Sequence, residues 1–249
     1  MTSLPRGSTG RILGRCVLER AVEPVDIRPG MGAEGPVPSE SVRTGAELGL
    51  AGCVVSLASV AAGKDWPERL RGTDRSATLG IEPGRFEPRV QWTRSFTQLV
   101  LESRIGMELA VHGFHGSSRT DTAFNLSVAP GARHLDSADL WLDRPGILFV
   151  TDDFRGGFQA YVHVSAHPYV DVTGAETVAG RQDGSYALED VPPGAYELVC
   201  WHEGLAPIVE GDARRPSYRP GPEVRLTRSV RVVAGETTVV DFTIPAPPR

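Results

Sequence analysis

The chain has 249 residues, 40% of them hydrophobic, and 48 are glycine or proline (28 and 20). That length suits one large or two small domains, and the apolar share suffices for a folded core, so disorder as the main state is excluded. A net charge of −5 at pH 7, with Lys64 the single lysine among 26 basic residues, argues against nucleic-acid binding through a phosphate-neutralising surface.

Apolar runs are short, alternate with polar residues and stop at Gly, Pro or Asp, while helical periodicity is scarce; this is the pattern of an all-β chain. Strands are predicted over residues 11–18, 53–58, 96–102, 108–114, 124–128, 147–152, 160–164, 170–173, 185–189, 196–201, 229–233 and 237–244. Residues 21–46, 64–80 and 210–222 read as loops, with Trp66-Pro67 opening a short helical turn in the second. Asp183-Gly184 and Pro193-Gly194 supply turns before the strands that follow them. Residues 245–249 are expected to fray.

The first ten residues contain no apolar run of the signal-peptide kind. Residues 48–63 are uncharged up to Gly63, and Leu50-Ala51-Gly52-Cys53 imitates a lipoprotein cleavage box. The apolar residues follow the cysteine instead of preceding it, and the stretch is shorter than the roughly 20 residues that span a bilayer. It therefore reads as a buried strand, with no transmembrane segment. The three cysteines, Cys16, Cys53 and Cys200, show no CxxC spacing. A zinc knuckle and a thioredoxin motif are excluded, a disulfide framework is disfavoured since at most one bridge could form, and buried free thiols on strands are expected. No GxSxG, Walker A, GxGxxG or HExxH motif is present, so nothing points to an enzyme or to a resident cofactor.

Two stretches resemble known families. Asp183-Gly184-Ser185-Tyr186-Ala187-Leu188 and Val191-Pro192-Pro193-Gly194-Ala195-Tyr196-Glu197-Leu198, with a closing strand over 237–243, resemble the carboxypeptidase-regulatory-like domain, a transthyretin-like (prealbumin-like) β-sandwich. Its opening half would be Gly10-Arg11-Ile12-Leu13-Gly14-Arg15-Cys16-Val17-Leu18, more than a hundred residues upstream. Between them, Arg85-Phe86-Glu87-Pro88-Arg89-Val90, residues 107–113, residues 149–164 and His167-Pro168-Tyr169 resemble a plastocyanin-like cupredoxin, as in bacterial proteins that combine the two modules. Together the resemblances imply a cupredoxin-like Greek-key sandwich (80–165) inserted into a regulatory-like sandwich (1–65 with 166–245), followed by a flexible tail (246–249). They also imply work outside the cytoplasm, at odds with the missing signal peptide.

The cupredoxin resemblance carries a site. That family holds copper with two histidines, a cysteine thiolate and a weak axial methionine. Here Leu109 stands at the first histidine position, and Asp152-Asp153-Phe154-Arg155-Gly156-Gly157-Phe158 overlies the ligand loop. Asp152 replaces the cysteine, Arg155 the second histidine and Phe158 the methionine. A guanidinium cannot coordinate, and the set is not a blue-copper site. The resemblance thus implies a degenerate copper site in which Leu109 and Phe158 fill the ion's volume, Asp152 pairs with Arg155, and the four converge.

Other residues mark alternatives. His112 and His115, with His134, would make a metal site only if the strand bends at Gly113, because residues three apart face opposite sides. His167, His202 and Glu203 would form a polar cluster between the modules, or an acid/base or metal site. Adjacent strand residues point apart, so Asp152 and Asp153 do not form a catalytic pair. Trp92, Trp141 and Tyr218 are candidates for stacking on a sugar, and Asn125-Leu126-Ser127 fits a glycosylation acceptor. The expected function is a non-enzymatic binding or structural module with a protein or glycan partner. The alternatives are a copper-handling or electron-transfer protein using His112 and His115, and a carbohydrate-associated protein or enzyme.

Overall fold

A computed structural model of the chain describes residues 8–27, 37–73, 75–134, 140–155, 158–174, 182–210, 217–219 and 221–247. The side chains of residues 37, 38, 134, 209, 210 and 217–219 lie outside that description.

The chain first lays down β1 (Gly10–Leu18), β2 (Asp26–Ile27), β3 (Val37–Pro38) and β4 (Val54–Leu57). It continues with β5 (Ser76–Glu82), β6 (Arg85–Glu87), β7 (Val90–Arg94), β8 (Thr97–Ser103) and β9 (Leu109–His115). Then come β10 (Thr122–Val128), β11 (Arg133–His134), β12 (Trp141–Leu142), β13 (Gly146–Asp152) and β14 (Gln159–Ser165). The last stretch holds β15 (Val170–Val172), β16 (Ser185–Val191), β17 (Gly194–His202), β18 (Ile208–Glu210), β19 (Ser217–Arg219), β20 (Val224–Val232), β21 (Thr237–Val239) and β22 (Phe242–Ile244). Among the described residues the helical pieces are two 3-10 turns, Ala46–Leu48 and Glu68–Leu70, the second directly after Trp66-Pro67.

The strands form two sheet pairs. One combines β16-β1-β21, with β22 also on β1, and β15-β4-β17-β20. Their inward residues, Ile12, Cys16 and Phe242 against Val55, Leu198 and Cys200 among others, share one core. The other combines β10-β9-β13-β14-β7 and β11-β8-β5-β6, with β12 on β8. Leu79, Leu99, Leu109, Val150 and Val162 lie in its core.

Two glycines show how tightly β1 is packed. A Cβ on Gly14 would meet the Val240 carbonyl oxygen at 1.7 Å. A Cβ on Gly184 (φ +70°), in the predicted Asp-Gly turn, would meet the Cys16 carbonyl oxygen at 2.4 Å, so this left-handed position must stay bare.

Several expectations need correction. The predicted loop 64–80 ends in β5, where Ala77, Leu79 and Ile81 alternate with Ser76, Thr78 and Gly80 directly after a charged stretch; parallel pairing with β8 (Ala77 with Leu99, Leu79 with Leu101) fixes the strand. β6 and β7 are likewise strands by pairing, β7 lying parallel to β14. The predicted strand 237–244 is two strands, because Val240 N donates to Leu13 O while Asp241 Oδ1 accepts from Arg15 N at 2.8 Å. Within the predicted loop 21–46 β2 pairs with β3, and β19 within the predicted loop 210–222 pairs with β18, which runs into its start. At the tail, Ala246 N donates to Glu19 Oε2 at 3.3 Å and Pro247 O accepts from Arg20.

The sheet containing β13 and β14 is buried on both faces. Leu148, Val150, Ala160 and Val162 point into their own sandwich. Phe149 and Tyr161 point out of it, into a third core with Phe114, Val54, Val170 and Trp201. Burial on both faces explains why 147–152 and 160–164 read as nearly continuous apolar runs. The rings of Phe114, Phe149, Tyr161 and Trp201 follow one another at centroid spacings of 6.3, 5.1 and 5.4 Å, joining the two sheet pairs.

Candidate functional site

Three clusters carry chemically capable residues. The first lies at the end of the β9–β13 sheet, where the cupredoxin ligands would stand. Leu109 and Phe158 are buried in the same core, and Phe158 meets Phe86 edge-on at 5.6 Å. Asp152 is fully buried. Its Oδ2 accepts from Ala110 N (3.1 Å), its Oδ1 from Phe154 N (2.9 Å), and Arg155 Nη1 approaches Oδ2 at 3.3 Å. Arg155 also donates to Glu108 O at 3.4 Å, and Phe158 N donates to Arg155 O at 3.0 Å. These contacts tie the 152–158 loop to the start of β9. Gly156 and Gly157 lie outside the described residues.

Around it, the histidines are dispersed. His112 and His115 stand on opposite faces of β9, which keeps regular pairing with β13 through Gly113, so the bend a shared metal would require is not made. His112 stacks on Phe114 at 3.9 Å. Its Nδ1 faces Asp153 Oδ1 at 3.1 Å and its Nε2 faces Thr122 Oγ1 at 3.0 Å, so both ring nitrogens are engaged. His134 pairs with Leu101 on the other sheet, and its side chain lies outside the described residues.

The second cluster lies between the sheet pairs. Arg89 Nε donates to Glu203 Oε1 at 2.8 Å, Arg89 Nη2 to Oε2 at 2.5 Å, and Arg89 Nη1 to Gln159 O at 3.0 Å. Both ends of this bidentate pair are buried, at 6% and 4% exposure, where paired geometry is what makes charge tolerable. Burial by itself lowers the Arg89 pKa, but the Glu203 charge and hydrogen bond outweigh it and the net shift is upward. Beside the pair opens a small cleft lined by Glu40, Arg43, Gly52, Glu87 and Thr173 among others.

His202 and Glu203 do share this region, but His167 does not join them. His167 Nε2 donates to Leu57 O at 2.9 Å, and its Nδ1 accepts from Tyr169 N at 3.3 Å. Leu57 ends β4, whereas His202 lies across from the residue that precedes β4. His202 Nδ1 accepts from Gly204 N at 3.2 Å. Burial lowers the pKa of His202, of His167, and of His163 to about 4, the last aided by the His167 charge. Of the proposed stacking aromatics, Trp92 lies under the Arg69 guanidinium at 4.9 Å and Trp141 is 45% exposed. The Tyr218 side chain lies outside the described residues.

The third cluster was missed as a cluster. Cys16 on β1, Cys53 just before β4 and Cys200 on β17 are buried free thiols as expected. Their sulfurs all lie within 4.8 Å of one another, with Cys16 and Cys200 at 3.6 Å. Hydrogen bonding with Cys16 and Cys53 draws the Cys200 pKa down to about 5. Cys16 is pushed well up, first by its hydrogen bond to Cys200, and Cys53 chiefly by burial. Nothing in the spacing 16, 53, 200 announces this meeting; each cysteine merely falls on the inward side of an apolar run.

No protein-family model matches the chain, and no curated protein does. Among solved structures, a reduced amicyanin variant is 13% identical, covering 45% of this chain and 98% of that one, at a TM-score of 0.32. A second amicyanin variant, in its reduced Cu(I) form at pH 4, is 12% identical over the same shares, also at 0.32. A copper-containing nitrite reductase from Thermus scotoductus is 13% identical over 44% of this chain and 25% of that one, at 0.30. The chain is thus loosely similar to copper proteins over less than half its length, and nothing about ligands or activity carries over at that distance.

Proposed function

We propose that this protein is a non-enzymatic binding or structural module, built from a cupredoxin-like sandwich that has lost its copper site and is nested in a carboxypeptidase-regulatory-like sandwich. The nesting is supported by strand membership. Strands β1, β4 and β15–β22, apart from the small β18–β19 sheet, belong to one sheet pair, and β5–β14 to the other. The cupredoxin reading is supported by the Greek-key order of the second pair, with β5 parallel to β8 and β7 parallel to β14.

The observation that carries the reading is the use of Asp152. Two backbone N–H groups and Arg155 take up its carboxylate. Leu109 and Phe158 are buried at 1% and 3% exposure. Apolar volume and a satisfied carboxylate thus occupy the end of the sandwich where the family keeps its ion. The partner is a protein or a glycan, and exposed Phe154, Phe96 and Trp141 (80%, 59% and 45% exposed) are aromatic groups of the kind that contribute to such contacts.

The test is Cu(II) addition to a variant lacking all three cysteines (C16A/C53A/C200A), followed by absorption and electron paramagnetic resonance. No stoichiometric binding sensitive to substitution at Leu109 or Asp152 is expected. Copper bound at one equivalent per chain and released by D152A would overturn the reading.

A further inference from the structure

The whole cysteine complement of the chain meets at one point. Three residues separated by 37 and 147 positions in sequence come from three strand segments. Cys53 and Cys200 lie on the inward face of one sheet, since Cys200 pairs with Val55 in the β4–β17 ladder. Cys16 reaches them from the facing sheet, inside the same core. We propose that Cys16, Cys53 and Cys200 form a three-sulfur binding site for a soft monovalent d¹⁰ metal ion of the Cu(I) class.

The geometry is close to that of a bound site. Sulfurs mutually within 4.8 Å leave a point no more than about 2.8 Å from each, against a metal–sulfur bond of about 2.3 Å. A contraction of about half an ångström, within reach of a χ1 adjustment, closes the site.

Donor type and number select the ion. Among the described residues the cluster contains sulfur alone; no His, Asp or Glu completes it. Thiolate sulfur favours soft ions, and Zn(II) in structural sites takes four ligands, not three. A buried apolar setting offers no water as a fourth ligand; Tyr186, Phe242 and Val55 belong to the same core. Cu(I), soft and content with few sulfurs, meets both conditions.

Supporting contacts hold the donors in place. Thr173 Oγ1 accepts from Cys53 N at 3.0 Å and donates to Leu50 O at 2.6 Å. Cys16 N donates to Gly184 O at 2.9 Å, and Cys16 O accepts from Leu50 N at 2.8 Å. Such outer contacts orient ligands in metal sites. The cleft with Glu40 and Glu87 on its walls is lined also by Ala51 and Gly52, the two residues before Cys53, and by Thr173, which accepts from Cys53 N.

The experiment uses the full chain, reduced, metal-free and oxygen-free, titrated with Cu(I) against a chromophoric Cu(I) chelator. Expected is one Cu(I) per chain with an ultraviolet sulfur-to-copper transition. C16A, C53A and C200A should each weaken binding beyond the roughly 10–100-fold cost of losing a supporting contact. Zn(II) should compete poorly. X-ray absorption of the copper-loaded wild-type chain needs no variant: three sulfur neighbours support the site. Nitrogen or oxygen neighbours, wild-type affinity equal to that of folded C53A, or a Cys16–Cys200 disulfide in the protein as purified would each overturn it.

Discussion

The two sandwiches treat polar and sulfur-bearing groups in opposite ways. The β5–β14 pair has, at the end of the β9–β13 sheet, a buried carboxylate whose oxygens are taken by Ala110, Phe154 and Arg155. The other pair brings three thiols together in its core, Cys16 from one sheet and Cys53 and Cys200 from the facing one. A metal site is therefore not a property of a sandwich. It depends on which donors point to one spot and on whether local hydrogen bonds have already engaged them. In the β5–β14 pair the carboxylate oxygens are already engaged, whereas in the other pair three sulfurs converge.

Breaking the junction between the two should have the largest effect. Glu203→Ala leaves Arg89 buried without its partner and should cost about 3–5 kcal/mol, read by urea denaturation. A single transition would show the sandwiches unfold together, and a loss confined to one of two transitions would show them independent. Leu109→Ala hollows the second core and should cost about 2–5 kcal/mol. A negligible loss would mean the position is not packed as described.

Asp152→Ala strands two buried N–H groups and should cost about 1–3 kcal/mol, with Asp152→Asn recovering part of it. Equal losses for both variants would show that size, not hydrogen bonding, matters there. A pH series sharpens the contrast at the seam. His163 has its folded pKa lowered from 6.5 to about 4, so the unfolded chain binds the proton first. Its contribution is complete above pH 6.5 and is lost as pH falls towards 4. His163→Asn should flatten stability against pH over that window by about 1–2 kcal/mol. An unchanged slope would assign it to other groups. Trp141→Ala, at an exposed position, should change stability by less than about 0.5 kcal/mol.

Much of the fold could be read from residue order. β1, β9, β13, β14 and β17 announce themselves through apolar runs ended by turn residues, and Asp183-Gly184 and Pro193-Gly194 mark their turns. β5, β6 and β7 did not, because they are short or follow a charged stretch, and partner strands fix them: β8 parallel to β5, β5 antiparallel to β6 and β14 parallel to β7. The sequence located the loop 152–158, but one of the two backbone N–H groups that occupy Asp152 comes from Ala110, 42 residues away.

By itself the sequence determined the all-β class, the positions of most strands and the burial of each cysteine. These follow from local alternation and from the hydrophobic preference of single residues. Tertiary structure alone decided that Arg89 meets Glu203, that β9 runs on through Gly113 without the bend a His112–His115 site would need, and that three distant thiols come together. Each of these depends on which strands face one another across a sheet or a core, and no short window of residues encodes that.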